Sequence, residues 1–474
     1  SGPSVVKRAC DSCHRRKVKC IGEGTNPCKN CVSAGLACTY NAIPQKKGPK
    51  GSRSKVLSEL RETQKQSPYA PSGSVYDQSS IRSRSHSPHL GRSGLLTPEL
   101  VNFCAEYFFA NLYSTHPVLD RQQLQEVVLL LDTSVEAYST VTALCAYMAL
   151  QPGIALPPGL GLRPDLALVT PFQLGNLLLE EAVRANKLHE DMENVAIQRI
   201  VVAYLIFGCY HCLDRQNTAW VYLRLATTLA YIMGLHSGET YNVNNPGESA
   251  KRRKLFWLLF VTERAFALKH HRPITLHATI PVPSVNDDPS ELHDMAGFIH
   301  LINLFKPFNE TFFGLWNRTQ TGAVPAWLHQ LQLQLSEALP SYLDTTEIQA
   351  VDLRVSQLWL RTMVWQLAVS HGFVSSVASD STLQFRYPIE ISRELTEATT
   401  EFSRHAIETH GIGLVEKLFD IACTLTDILA FASPAQQQST AYGLDTNSGR
   451  TYLSYMVSLI TSLRAAQPRH HSLL

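Results

Sequence analysis

The chain has 474 residues, 45% of them apolar and 17% charged, which excludes a disordered or fibrous chain and supplies apolar material for two or more packed domains. Formal net charge is only +2, yet residues 1–66 carry 14 Lys+Arg against 4 Asp+Glu, while the remainder carries 28 against 36. A basic head on an acidic body points to a polyanion as the partner of the N-terminal end.

In chain order, four parts follow: a cysteine cluster at 7–41, a basic connector at 42–66, a Ser/Pro/Arg-rich stretch at 67–97, and a long body from 98 to 474. Six cysteines, at positions 10, 13, 20, 28, 31 and 38, fall within 29 residues of the first part. The other five (Cys104, Cys145, Cys209, Cys212, Cys423) are scattered through apolar segments. The residues before the first cysteine do not read as a signal peptide. An odd total of eleven cysteines also argues against a disulfide framework, so clustered thiols point to metal.

The spacing is C-x2-C-x6-C-x7-C-x2-C-x6-C, two halves of one form. A CxxC at a helix start aims two sulfurs at one point, and the third returns about two turns later. Three thiolates leave a tetrahedral zinc one ligand short. The halves complete each other if one thiolate from each bridges two zincs. Six thiolates and two Zn2+ leave a net charge of about −2, and Arg15, Arg16, Lys17 and Lys19 surround it. Single-zinc ribbons, redox motifs and disulfide knots are the rival readings. A ribbon needs four ligands per zinc in two close pairs, which six cysteines do not provide.

This cluster, with R-R-K-x-K before its third cysteine, resembles the fungal binuclear zinc cluster (Zn2Cys6) transcription factors. The resemblance implies two Zn2+ as cofactors, with Cys10 and Cys28 bridging. Cys13 and Cys20 would then complete one site, and Cys31 and Cys38 the other. It implies a partner too, double-stranded DNA with CGG triplets, entered by the C-terminal end of the first short helix. On matching positions Lys17 is the main base reader, with Arg16 beside it, and His14, Arg15 and Lys19 lie nearer phosphates. Pro27 matches the family's loop proline, while Ile21-Gly22-Glu23 follow the third cysteine where the family usually has Asp.

In the connector, Lys46-Lys47-Gly48-Pro49-Lys50 suits phosphate contact and nuclear import, against the plain reading of a solvated basic run. It is similar to the linker of yeast maltose-type activators. Val56, Leu57 and Leu60 begin a helical pattern of at most two heptads, so a homodimer through a short coiled coil, a dimer through the body, and a monomer all stay open. Residues 67–97 have little to bury and read as a flexible linker.

The body reads as helical almost throughout, which makes the fold class mainly α. PELVNFCAEYFFANLY, TPFQLGNLLLEEAVRANKL, NTAWVYLRLATTLAYIMGL and KRRKLFWLLFVTERAFAL all place apolar residues at three- and four-residue steps. Thr97-Pro98 predicts a helix start, and Gly234 and Gly238 predict helix ends. The longest apolar run, Ile200–Leu213, is too short to span a membrane. Residues 219–236 and 251–276 resemble the regulatory domain that many zinc cluster proteins carry, with Glu263 where Asp is usual and His271 where Gly is usual. Glu263, Arg264, Arg252 and Arg253 are expected to pair across helices, a structural role. Phe108, Phe109, Phe256, Trp257, Phe260, Trp359 and Trp365 are expected in the core. Cys209 and Cys212 read as small hydrophobes and His270-His271 as a helix cap.

Nucleophile elbows, Walker loops and dinucleotide fingerprints do not occur, so enzyme function has no support. The expectation is a nuclear regulator of RNA polymerase II genes, of sugar utilisation by the connector. A secondary-metabolite gene cluster, or a receptor whose helical body senses a small-molecule inducer, are the alternatives.

Overall fold

The computed structural model of the chain describes residues 9–20, 27–39, 94–166, 168–188, 193, 195–241, 245–285, 292–322, 324–431 and 446–465. Among them there is no β-strand, and no helix is long and apolar enough to cross a membrane. The chain divides into two compact units, residues 1–87 and 88–474. The connector lysines, the heptad pattern from Val56 and nearly all of the Ser/Pro-rich stretch lie outside the described residues.

In the first unit, α1 (Asp11–Arg16) and α2 (Lys29–Ser33) are each little more than one turn long. Helices this short do not hold alone in water. What they share is a cluster of four fully buried thiols, Cys10, Cys13, Cys28 and Cys31, with Cys20 and Cys38 against it.

The second unit begins where the sequence places a helix start. Thr97 accepts a hydrogen bond from the Leu100 amide at 3.2 Å, with Pro98 in the first turn of α3 (Pro98–Asn111). After α4 (Arg121–Leu129) comes α5 (Val135–Ala149), in which every residue from Ala137 onward is buried. It packs against α6 (Pro171–Lys187) and α7 (Ile197–Cys212), and α7 in turn against α8 (Gln216–Ile232). The approach to α7 is close enough to require glycine: a Cβ on Gly208 would lie 2.7 Å from the Tyr147 ring. Gly234, at φ +71°, ends α8 as expected, whereas Gly238 instead starts a short 3-10 turn.

Two long helices form the middle of the unit. α9 (Pro246–His270) is buried continuously from Lys254 to Val261, and α13 (Glu347–Ser370) from Val355 to Trp365. Helices that are apolar on every side are interior ones. The rest pack round them: α10 (Leu292–Phe305), α11 (Glu310–Trp316), α12 (Pro325–Glu337), α14 (Tyr387–Thr400), α15 (Arg404–Glu408), α16 (Gly411–Phe431) and α17 (Thr446–Ser462). The expected core aromatics are buried except Phe109, which is half-buried under the Arg121 guanidinium at 4.3 Å. His271 caps α9 in a left-handed conformation, as expected. Burial pushes the Cys209 thiol well up and Cys212 up to about 12, as for inert core thiols.

The buried charges depart from the expected pairing. Glu263, wholly buried, does reach across helices: it takes Arg224 of α8 at 3.3 Å, the Thr275 amide at 3.0 Å and the Leu276 amide at 2.8 Å. Among the described residues Arg264 pairs with no carboxylate; it donates to the carbonyls of Phe308 (2.9 Å) and Leu276 (3.0 Å) and lies over the Phe260 ring at 3.3 Å. Arg252 pairs within its own helix, with Glu248 at 2.9 Å. Arg253 stacks on Tyr241 at 5.2 Å. Glu263 and Arg264 together fasten the non-helical segment after α9 back onto the core. Glu263→Ala is therefore expected to cost about 3 kcal/mol in chemical denaturation, because two amides and a hydroxyl lose their buried acceptor.

Candidate metal centre and nucleic-acid interface

Each half of the cysteine cluster is built the same way. Cys10 (φ −64°, ψ 159°) and Cys28 (φ −68°, ψ 151°) are extended N-caps, followed by α1 and α2. The Cys10 amide points at Cys20 Sγ (3.5 Å), and the Cys28 amide points at Cys38 Sγ (3.3 Å). After α1 the Val18 amide returns to the Cys13 carbonyl at 3.2 Å; after α2 the Leu36 amide returns to Cys31 at 3.0 Å.

The sulfurs form two quartets. Cys10, Cys13, Cys20 and Cys28 lie within 4.8 Å of one another, as do Cys10, Cys28, Cys31 and Cys38. Cys10 and Cys28 belong to both. Each quartet offers the four soft donors that tetrahedral zinc takes, so the donor set fits two ions. Both shared thiols are held below their ordinary value. The Cys13 amide holds Cys10 below its ordinary value. Burial opposes ionisation of Cys28, but the Cys31 amide and neighbouring thiols bring it down to about 6. Burial pushes Cys13 up, and Cys31 up to about 12.

Three contacts that the spacing does not announce tie the halves together. Asn30 Nδ2 donates to the Lys19 carbonyl (2.6 Å), Ser12 Oγ to the Ala37 carbonyl (2.7 Å), and the Asp11 amide to the Thr39 carbonyl (2.8 Å). Shifting the sequence by 18 residues, which superposes the cysteine triplets, aligns Ser12 with Asn30 and would have singled out both.

The same shift aligns Lys17 with Gly35, and both are left-handed, at φ 55° and φ 61°. A lysine there costs roughly 1–2 kcal/mol that glycine avoids. His14, Arg16, Lys17 and Lys19 are exposed along and beyond the end of α1; Arg15 sits in the helix, its side chain outside the described residues. The aligned positions in the second half are Val32, Ser33, Ala34, Gly35 and Ala37. Among the described residues the second half keeps a single exposed cation, Lys29, and the cationic surface lies on the first half. Lys46, Lys47, Lys50 and the Ile21-Gly22-Glu23 departure lie outside the described residues.

Comparison with known proteins agrees with this geometry. Residues 8–48 match the fungal Zn(2)-Cys(6) binuclear cluster domain, and residues 105–303 the fungal specific transcription factor domain. The first is a domain that holds two zinc ions and binds DNA. The chain is 26% identical to Maltose fermentation regulatory protein MAL13 of Saccharomyces cerevisiae, over 90% of this chain and 85% of that one. It is 27% identical to Probable sucrose utilization protein SUC1 of Candida albicans, over 96% and 83% of the two chains. Maltose fermentation regulatory protein MAL63 of Saccharomyces cerevisiae is 25% identical over 90% and 85%. The two maltose relatives are regulatory proteins, and the matched family is one of transcription factors. No solved structure matches the chain.

The shared thiols give the centre a test. Cys10→Ser or Cys28→Ser is expected to lose both metals in elemental analysis of the purified chain, whereas Cys38→Ser is expected to keep about one.

Proposed function

The chain belongs to the fungal Zn(2)-Cys(6) binuclear cluster transcription factors, and we propose that it acts in the nucleus, reading CGG-type sites and controlling RNA polymerase II genes of sugar utilisation. Residues 7–41 are the DNA-binding domain, with Cys10 and Cys28 bridging two zincs, Cys13 and Cys20 completing one, and Cys31 and Cys38 the other. Residues 42–66 are a basic connector, 67–97 a linker, and 98–474 the regulatory domain. Zinc supplies the fixed charge and geometry that fold the domain; the chain's own side chains do the reading.

One observation carries the assignment of the reader. Lys17 holds a left-handed conformation that its aligned partner leaves to glycine, at the exposed end of α1. A strained, exposed cation is best explained by what it touches. Placed in a major groove, the end of α1 would set Lys17 against the O6 and N7 acceptors of guanine, with Arg16 beside it. His14, Arg15 and Lys19 would approach phosphates, joined by Lys46, Lys47 and Lys50 of the connector. The sugar assignment is supported by the maltose regulatory proteins and the probable sucrose utilization protein among the relatives and by the KKGPK connector.

In duplex binding, Lys17→Ala is expected to lose CGG preference by ~1–3 kcal/mol. Lys17→Gly is expected to lose it equally while raising the domain's stability by about 1 kcal/mol, since the strain disappears with the side chain. Unchanged discrimination between CGG and scrambled duplexes in both variants would remove Lys17 from the reading role. Replacing Lys46 and Lys47 is expected to weaken all duplexes alike and flatten the salt dependence. Genome-wide occupancy decides the pathway: peaks beside sugar transporter and glycosidase genes support it, and confinement to one biosynthetic gene cluster replaces it.

A further inference from the structure

The two halves of the cysteine unit clasp each other through a pair of equivalent side-chain bonds. Under the shift of 18 residues, position 12 falls on 30 and position 19 on 37. Ser12 Oγ donates to the Ala37 carbonyl at 2.7 Å, and Asn30 Nδ2 donates to the Lys19 carbonyl at 2.6 Å. Each half thus uses one polar side chain of its own helix to hold the peptide just before the other half's third cysteine.

The frames are alike, but what they carry differs. In the first half the clasped peptide ends a turn that bears Lys17 and Lys19, both exposed. The matching positions of the second half are Gly35 and Ala37, which bear no charge. Lys17 also needs more restraint than Gly35. Both are left-handed, at φ 55° and φ 61°, but a residue with a side chain leaves that region when the chain around it is free. The bonds inside the turn are long ones: the Lys17 amide reaches the His14 carbonyl at 3.3 Å, and the Val18 amide reaches the Cys13 carbonyl at 3.2 Å. The Asn30 bond is the shortest of the three and comes from the other half. It fixes the orientation of the peptide joining Lys19 to Cys20. Asn30 is itself anchored by its neighbour Cys31, a member of the second sulfur quartet.

We propose that Asn30 is a positioning residue for DNA reading: by holding the Lys19 carbonyl it keeps the turn from Lys17 to Lys19 in the conformation that meets a base edge, so that sequence preference depends on the half poor in cations. This role rests on the reading of Lys17 as the base reader. Asn30 acts through the lysines and needs no bond of its own to DNA. A base contact demands donors held within about 0.5 Å of the productive geometry. A small rotation of the backbone at the root of a lysine is magnified along its four-carbon stem. Attraction to phosphates tolerates such a displacement, because it is electrostatic and carries no sequence information. Loss of the Asn30 bond therefore falls on preference rather than on general affinity. Ser12 is the control that the fold itself provides: the same kind of bond, on a turn without cations.

The test uses the full-length, zinc-loaded chain with Asn30→Ala, Asn30→Asp, Ser12→Ala and Lys17→Ala. Zinc per chain is measured by elemental analysis, and affinity is measured for a CGG duplex and a scrambled duplex at one salt concentration. Asn30→Ala is expected to keep both metals and to lose about fivefold in the ratio of CGG to scrambled affinity, the size of one net hydrogen bond, with the loss on the CGG duplex. Asn30→Asp keeps the shape and removes the donor, so it is expected to lose at least as much. Its added charge acts on both duplexes and cancels in the ratio, and it keeps the test valid if Asn30→Ala fails to fold. Ser12→Ala is expected to hold the ratio within about twofold. An unchanged ratio in either Asn30 variant, beside a loss in Lys17→Ala, overturns the proposal. Equal loss in Ser12→Ala overturns it too, since the clasps would then act only through the stability of the unit, as does loss of zinc from both Asn30 variants. An unchanged ratio in Lys17→Ala itself retires Lys17 as the reader, and the role of Asn30 with it.

Discussion

The described residues of the N-terminal unit depend on six sulfurs gathered into two quartets that share Cys10 and Cys28. The described residues of that unit bury no apolar core besides the cysteines themselves. Two helices of six and five residues cannot supply folding free energy, and so few residues cannot bury enough surface to fold. Metal–thiolate bonds to the six cysteines would supply it instead, and binding and folding would then be one event. Sharing Cys10 and Cys28 between the quartets makes the halves interdependent, because neither sulfur set is complete without the other half.

The helical unit solves the opposite problem. It has ample apolar material, and its specificity comes from the polar groups it buries. Glu263 and Arg264 are adjacent in α9 yet serve opposite chemistries, the carboxylate collecting amides and the guanidinium collecting carbonyls. Both act on the segment around Thr275 and Leu276, whose backbone would otherwise lie buried without partners. The segment that follows α9 is thereby held against that same helix.

What the sequence made legible is what is local. Cysteine spacing, the Thr97-Pro98 helix start, the Gly234 stop and the period of α3, α6, α8 and α9 are all short-range patterns, and the structure follows them. What escaped depends on distant partners. Arg264 was expected beside a carboxylate, but peptide carbonyls, present at every position, leave no mark in a sequence. Arg252 found Glu248 one turn away in its own helix rather than across helices.

Lys17 joins these levels. A residue strained by a left-handed backbone persists only where the surroundings over-determine its conformation. Among the described residues of this unit, whose buried cluster is its cysteines, the over-determining bonds are local. The Val18 amide closes on the Cys13 carbonyl, and Cys13 and Cys20 are pinned on either side by the sulfur cluster. The second half has the same frame and relaxes it with Gly35. The metal frame thus makes glycine the easier choice at both turns, and the departure from it falls on the half that carries the cations. Positions where a repeated scaffold declines its own easier residue are where contact with a partner has to be sought, and here that position faces solvent at the end of α1.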